Sequence, residues 1–351
     1  MAKKPVEKVE VEEEITSNLD LVKLNKEYPG VLIDGDFLLE NSSEVISTGL
    51  LSLDIAFSKG VKVGSVVHLG GLTGAGKTSL ALTMAAAFIK QTSKNVYHVD
   101  VEGRLQPELL KCIEGLDISK FKIIRSSAEK FLNAEEYLTI IETLIKDDPG
   151  CMIIIDSIAA LCCEAEQVGG MADMQRATMP KLLYKFLRKI AQIIPANKNI
   201  LISLTHLQNN VSGYGPAMRD VGGNGIHFFA SYMMMCMSVT KVEKDGKKVG
   251  QDSQFKITKV AGGAPDAEPL IPIRFGSGCC RYTDISNVSI ELGLVAKTGA
   301  WFTVSHDDFK QEDGKYPKFQ GQDNLVEWLK IGENANKMDK IVRNMVFPDN
   351  K

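Results

Sequence analysis

The segment Gly71-Leu-Thr-Gly-Ala-Gly-Lys77-Thr78 meets the pattern GxxxxGK[ST] at every defined position, and it dictates what must fold on either side. Such a loop holds phosphate only when a buried strand enters it and a helix leaves it. Backbone N–H groups and the positive end of the helix dipole then converge on one point. Both flanks are present: Val66–Gly70 is a short apolar run, and Lys77–Lys90 repeats its apolar residues at helical spacing. The expected cradle is Gly71, Leu72, Thr73, Gly74, Ala75, Gly76, Lys77, Thr78 and Ser79. In it Lys77 neutralises the β- and γ-phosphates, and the Thr78 hydroxyl is available to Mg²⁺.

The same grammar continues along the chain. Asn95–Val101, Phe121–Arg125, Met152–Ile155 and Asn199–Leu204 read as buried strands; Pro107–Gly115, Asn133–Lys146 and roughly 178–194 read as helices. This alternation predicts an α/β fold with a mainly parallel central sheet covered on both faces. After residue 230 strands take over. Tyr232–Thr240 and Gln254–Val260 flank a turn containing Asp245-Gly246, a hairpin signal, and Leu270–Phe275 is a third candidate. From about Asp284 a mixed α/β tail holds Trp301 and Trp328. The expected division is an N-terminal arm and segment at 1–45, a core at 46–283 and a C-terminal module at 284–351. The first fourteen residues are charged and low in complexity, and read as a disordered arm.

Composition sets limits. A chain of 351 residues with 44% hydrophobic and 24% charged residues is that of a soluble globular protein of one large core plus a smaller module. Net charge −3 carries no global signal for nucleic acid, so any such contact must come from local basic groups or a groove between subunits. Seven cysteines without a CxxC pair favour a reducing cytosol over a disulfide framework. The apolar runs around Cys151–Cys163 and Tyr232–Val239 are too short for a bilayer, and no membrane partner is expected.

A phosphate loop needs acids beside it. Met152-Ile-Ile-Ile-Asp156 is an apolar strand ending in a carboxylate at the sheet's carboxyl edge, where it can reach the metal that Thr78 holds. Asp100 and Glu102 follow another strand at the same edge, and Glu102 is the candidate to orient and deprotonate water.

Ile46-Ser-Thr-Gly-Leu-Leu-Ser-Leu-Asp-Ile-Ala56, the phosphate loop, Asp100-Val-Glu102, Asp156-Ser-Ile-Ala-Ala-Leu161, Gly222-Gly-Asn224 and Gly299-Ala-Trp301 occur in a shared order and spacing. In these the chain resembles the RecA recombinases, from about Val45 to Val346. The divergence elsewhere points to a distant member, either bacterial or phage-encoded and then similar in function to UvsX. The resemblance implies a RecA-type ATPase core with a short N-terminal oligomerisation segment and a small C-terminal α/β module. It implies ATP and Mg²⁺ as ligands, and a cytoplasmic location in a bacterium or a phage's host. The expected partners are single- and double-stranded DNA, further copies of the chain in a helical filament, and mediator or single-strand-binding proteins.

By the same resemblance Glu102 is the water-activating carboxylate and Asp156 the metal-side acid. His206 stands at the γ-phosphate sensor position, where the family has Gln. Two loops are expected to grip DNA. The first, Glu166–Arg176, includes Gly169, Gly170 and Arg176, with Lys181 and Arg188 on the helix after it. The second, Leu207–Val221, holds Val211, Tyr214 and Arg219 and runs into Gly222, Gly223 and Asn224. Tyr214 or Val211 could insert between bases and the cations could hold phosphates. Three departures stand out. Leu109 occupies the place of an aromatic that packs on adenine. Of a pair of lysines that reach the neighbouring subunit's ATP, Lys259 is present and Ala261 replaces the other. His227 stands at a third such position. Two other readings remain at this stage: a helicase or remodelling ATPase on the same core, and a non-catalytic nucleotide-dependent DNA scaffold.

Overall fold

The computed structural model describes residues 23–32, 35–36, 44–170, 178–209, 218–220 and 223–348, with 208–209, 218–220 and 223–224 described as backbone. The chain divides into two units, Met1–Glu44 and Val45–Lys351. In the first, residues 23–27 are helical.

The second unit opens with β1 (Val45–Ile46), α1 (Leu51–Ala56), β2 (Val61–Lys62), β3 (Val66–Gly71) and α2 (Lys77–Thr92). Then come β4 (Val96–Asp100), α3 (Pro107–Lys111), β5 (Phe121–Ile124), α4 (Ala134–Asp147), β6 (Met152–Asp156) and α5 (Glu164–Val168). These are followed by α6 (Thr178–Ile190), α7 (Ile193–Ala196), β7 (Ile200–Leu204), a short ribbon β8 (Leu207–Asn209) and β9 (Met218–Asp220), and α8 (Gly223–Phe229). The strands β10 (Tyr232–Lys244), β11 (Lys247–Lys259), β12 (Leu270–Arg274) and β13 (Gly278–Cys279) complete the core.

Among the described residues the main sheet has nine strands in the order β13-β12-β11-β10-β3-β7-β6-β4-β5. From β10 to β5 every neighbouring pair is parallel, and from β10 to β13 every pair is antiparallel. The expected mainly parallel sheet is therefore present. Its strands are apolar on both faces because helices cover both. In β6, Met152 and Ile154 pack with Leu80 and Leu82 of α2, whereas Ile153 and Ile155 pack with Ile141 of α4 and Leu187 of α6. Each of these fully buried isoleucines contributes roughly 2 kcal/mol of hydrophobic stabilisation.

Several boundaries differ from the sequence pattern for identifiable reasons. Pro195 has no N–H to give the carbonyl of Ala191, so α6 stops at Ile190 and α7 starts a new turn. The hairpin β10–β11 is longer than expected: Asp245 (φ 51°) and Gly246 (φ 72°) form its tight turn, and pairing continues out to Lys244 with Lys247. The added part is mostly polar, with Val242 and Val249 too few to form an alternation. The segment expected to be loop after His206 begins and ends as ribbon, with Leu207 paired to Asp220 and Asn209 to Met218. The first expected loop begins as helix, because α5 covers Glu164–Val168.

The C-terminal part carries α9 (Arg281–Glu291), β14 (Val295–Thr298), β15 (Trp301–Val304), β16 (Lys318–Gln320), α10 (Gln322–Leu329) and α11 (Asn334–Val346). Ile285, Phe302, Leu325, Met338 and Val342 form its core, and Leu51 of α1 is buried among them. The start of the unit is tied to its end by Asp54, which is wholly buried. Its carboxylate accepts from Thr48 N at 2.7 Å, Thr48 Oγ1 at 2.7 Å and Arg343 of α11 at 2.5 Å. Burial still holds the Asp54 carboxyl above its ordinary value despite these donors, so removing any one of them would add to that cost.

Candidate functional site

Because β3, β4, β6 and β7 are parallel, their carboxyl ends share one edge of the sheet. The residues that follow them there are the glycine-rich loop, Glu102, Asp156 and His206. They line one cleft of about 470 Å³ together with Leu105, Leu109 and Phe275. Ligands of open α/β sheets bind at this edge, where the chain leaves β3 and skips over two strands to reach β4.

The loop is shaped by close approach. Gly76 has φ 80°, and a Cβ there would lie 2.0 Å from Ile273 Cδ1. Helix α2 begins at Lys77, so its unpaired N–H groups face the cleft. Lys77 is nearly buried, and burial lowers its pKa against the opposing pull of Asp156. Its ammonium donates to Gly71 O at 3.0 Å and Leu72 O at 2.9 Å, folding it back onto its own loop. Gln251 of β11 donates to Gly74 O at 2.8 Å and is itself held by Lys241 at 2.7 Å.

Thr78 Oγ1 donates to Asp156 Oδ2 at 2.7 Å. Burial raises the Asp156 pKa, and the nearby Glu102 and Asp100 add to the rise. A hydroxyl and a buried carboxylate in contact are hard oxygen donors of the kind Mg²⁺ takes alongside water and phosphate. A cation there would relieve the cost of ionising Asp156, so this pair fits the metal.

Glu102 is densely held. Burial pushes its pKa up, but hydrogen bonds from Ser157 and His206, with Arg104 nearby, outweigh burial and hold the carboxyl below its ordinary value. Ser157 Oγ donates to Oε1 at 2.8 Å, His206 Nε2 lies 3.0 Å from the same oxygen, and Arg104 lies 3.2 Å from Oε2. His206 Nδ1 is 3.3 Å from Lys77 Nζ. An ammonium can only donate, so Nδ1 accepts, and the imidazole proton on Nε2 points at Glu102. Asp100 is engaged differently: it accepts from Arg104 N at 3.1 Å and Leu105 N at 3.2 Å, which turns the chain after β4.

The structure thus brings together Gly74, Lys77, Thr78, Ser79, Glu102, Leu109, Asp156 and His206. It adds Ser157, Arg104, Gln251 and Phe275. The last supplies an aromatic ring to the cleft that Leu109 also lines. Lys259 lies outside this cleft and donates to His227 O at 3.0 Å at the end of α8. Lys181 and Arg188 lie on α6, where with Tyr184, Lys185 and Gly225 they line a shallow groove. Their neighbour Lys189 pairs with Glu142. Gly169 and Gly170 follow α5, Arg219 lies in β9, and Gly223 and Asn224 open α8. Arg176, Val211, Tyr214 and Gly222 lie outside the described residues.

The family model of the RecA N-terminal domain matches residues 18–280. The chain is 29% identical to Protein RecA of Acholeplasma laidlawii (strain PG-8A) over 87% of its own length and 88% of that protein. It is 29% identical to Protein RecA of Rickettsia prowazekii over 86% of its length and 84% of that protein. With Protein RecA of Streptomyces venezuelae the identity is 31% over 86% of the chain and 75% of the relative.

Proposed function

The chain belongs to the RecA family of DNA-dependent ATPases, and on that premise we propose that it forms helical filaments on single-stranded DNA and catalyses homologous pairing and strand exchange. The observation that carries this reading is the contact series Lys77–His206–Glu102, because His206 is also the residue that leads into β8. A group that touches the phosphate-loop lysine, the candidate base and the stem of the candidate DNA loop can make the loop respond to the nucleotide.

ATP would draw Lys77 off Gly71 O and Leu72 O onto its β- and γ-phosphates. Thr78 and Asp156 would hold Mg²⁺, whose chemistry is to neutralise and orient the phosphates. Glu102 would orient the attacking water, and His206 would turn its Nε2 hydrogen to the γ-phosphate. With His206 moved, the ribbon that follows it would settle on the DNA backbone, helped by Lys181, Arg188, Arg176 and Arg219, with Val211 or Tyr214 between bases and Gly169, Gly170 and Gly222–Asn224 at the loop ends. Lys259, outside its own chain's cleft, is assigned to the ATP of the neighbouring subunit. Residues 1–45 would join subunits, 46–283 hydrolyse ATP and 284–351 form an accessory module. A cytoplasmic location suits these substrates; among the described residues no helix is long and apolar enough to cross a membrane.

The test is ATP turnover against single-stranded DNA concentration for the unaltered chain and Glu102→Gln, followed by strand exchange between a circular single strand and a homologous duplex. DNA-stimulated turnover lost in the variant, with joint molecules formed by the parent, is the expected result. Turnover indifferent to DNA would overturn the recombinase reading.

A further inference from the structure

Arg104 lies on the far side of Glu102 from the phosphate loop's lysine. Its guanidinium is 3.2 Å from Glu102 Oε2, while the other oxygen, Oε1, is taken by Ser157 and His206. The order of groups along this wall of the cleft is therefore Lys77, His206, Glu102, Arg104. Arg104 also lines the cleft that holds the glycine-rich loop, so a γ-phosphate that met Lys77 and a water on Glu102 would lie beside the carboxylate that Arg104 holds.

The other cations of the cleft are committed. Lys77 belongs to the loop itself. Arg274 donates to Asp252 at 2.8 Å and to the carbonyl oxygens of Gln251 and Ile273. Arg104 is different: its side chain is 78% exposed, and among the described residues its ion pair is with Glu102. Exposed pairs of this sort are weak, because solvent screens them and two side chains must be ordered to make them. Little is lost in exchanging that pair for a phosphate, and a guanidinium matches phosphate oxygens with two parallel donors. The exchange also matters to Glu102, whose Oε2 must be free to take a proton.

We propose that Arg104 is an in-chain γ-phosphate ligand: it rests on Glu102 Oε2 and transfers to the γ-phosphate when a triphosphate enters. This rests on the reading of the cleft as an ATP site. In the hydrolysis that follows, the water oxygen bonds to the γ-phosphorus. The bond from that phosphorus to the β–γ bridging oxygen breaks, its electron pair stays on ADP, and the water's proton passes to Glu102. Arg104 stabilises the charge on the transferring group without taking part in the proton transfer.

The test compares binding of ADP and of the non-hydrolysable β,γ-imido analogue of ATP, each with Mg²⁺ and without DNA, to the full chain and to Arg104→Ala and Arg104→Lys. The expected result is about a tenfold loss for the triphosphate analogue in Arg104→Ala, equivalent to about 1.4 kcal/mol. ADP affinity should be unchanged, which also shows the variant is folded, and Arg104→Lys should fall between. Equal effects on both nucleotides, or none, would overturn the assignment of Arg104 alone. Failure of the unaltered chain to bind either nucleotide would overturn the ATP reading and this one with it.

Discussion

His206 Nε2 lies 3.0 Å from Glu102 Oε1, so the residue at the head of the β8–β9 ribbon touches the candidate base directly. Replacing it tests whether that contact couples the two. His206→Ala should lower DNA-stimulated turnover roughly ten- to a hundredfold, the cost of a hydrogen bond to a charged group. His206→Gln, which keeps a donor, should retain most of it. The contact also helps hold Glu102 below its ordinary pKa. In His206→Ala the carboxyl should ionise at higher pH, and the acid limb of kcat/KM should move upward. An unmoved acid limb would separate His206 from the base.

Loss of the Thr78 hydroxyl removes one of the two oxygen donors fitted to the metal. Thr78→Ala should raise the Mg²⁺ concentration needed for half-maximal turnover at least as much as losing an outer-shell partner does, roughly ten- to a hundredfold. Thr78→Ser should need little more than the parent. A Mg²⁺ titration of the ATPase at fixed DNA gives the answer, and identical curves for Ala and parent would remove Thr78 from the metal site.

How much of this was legible in the sequence follows from the range of each interaction. The glycine-rich loop is a local pattern, and its strand and helix flanks are local too, so the core and its carboxyl edge could be anticipated. Asp156 ends an apolar strand and Glu102 follows one, which put both at this edge, and the family resemblance assigned their roles. Gln251 was not, since it reaches Gly74 across 177 residues through the register of a hairpin. Phe275 and Arg104 were missed for a related reason: each lies just past the end of a strand or turn, where no periodicity marks which way a side chain faces. Ser157 sat within a recognised motif, but only the geometry shows it donating to Glu102. Past Thr240 the strands β10 and β11 are mostly polar, with Val242 and Val249 too few to set up an alternation before Phe255.

Gln251 gives a second kind of prediction, because its contact is with the backbone of the phosphate loop. Its amide donates to Gly74 O and its carbonyl accepts from Lys241. Gln251→Ala and Gln251→Glu both remove the donor to Gly74, and both should raise KM for ATP about fivefold, from a net hydrogen-bond worth of about 1 kcal/mol. A contact to the loop's backbone that is held equally in ground and transition states would leave kcat unchanged, which is the expected result. A fall in kcat with KM unchanged would show that Gln251 acts during the chemical step instead.

Asp284 of α9 is wholly buried against α1, accepting from Ser52 N at 3.2 Å and from the Ser52 hydroxyl. Burial pushes its carboxyl from an ordinary 3.8 up to about 7, more than the hydrogen bonds from Ser52 pull it down. A carboxyl that is harder to ionise in the folded chain than in the unfolded one favours folding while it is protonated. Its contribution is therefore complete below the unfolded value of 3.8 and is lost as pH rises towards about 7. The loss is at most roughly 4 kcal/mol across that window, since each tenfold change in the carboxyl's ionisation constant is worth about 1.4 kcal/mol. Asp284→Asn keeps an oxygen for Ser52 and has no proton to lose. Urea unfolding of parent and variant at a series of pH values should show the parent's stability falling relative to the variant's between pH 4 and 7. The gap should open on raising the pH, opposite in sign to what a salt-bridged carboxylate would give. Parallel curves would mean that Asp284 ionises as easily in the folded chain as outside it, and that the junction between α1 and α9 carries no such cost.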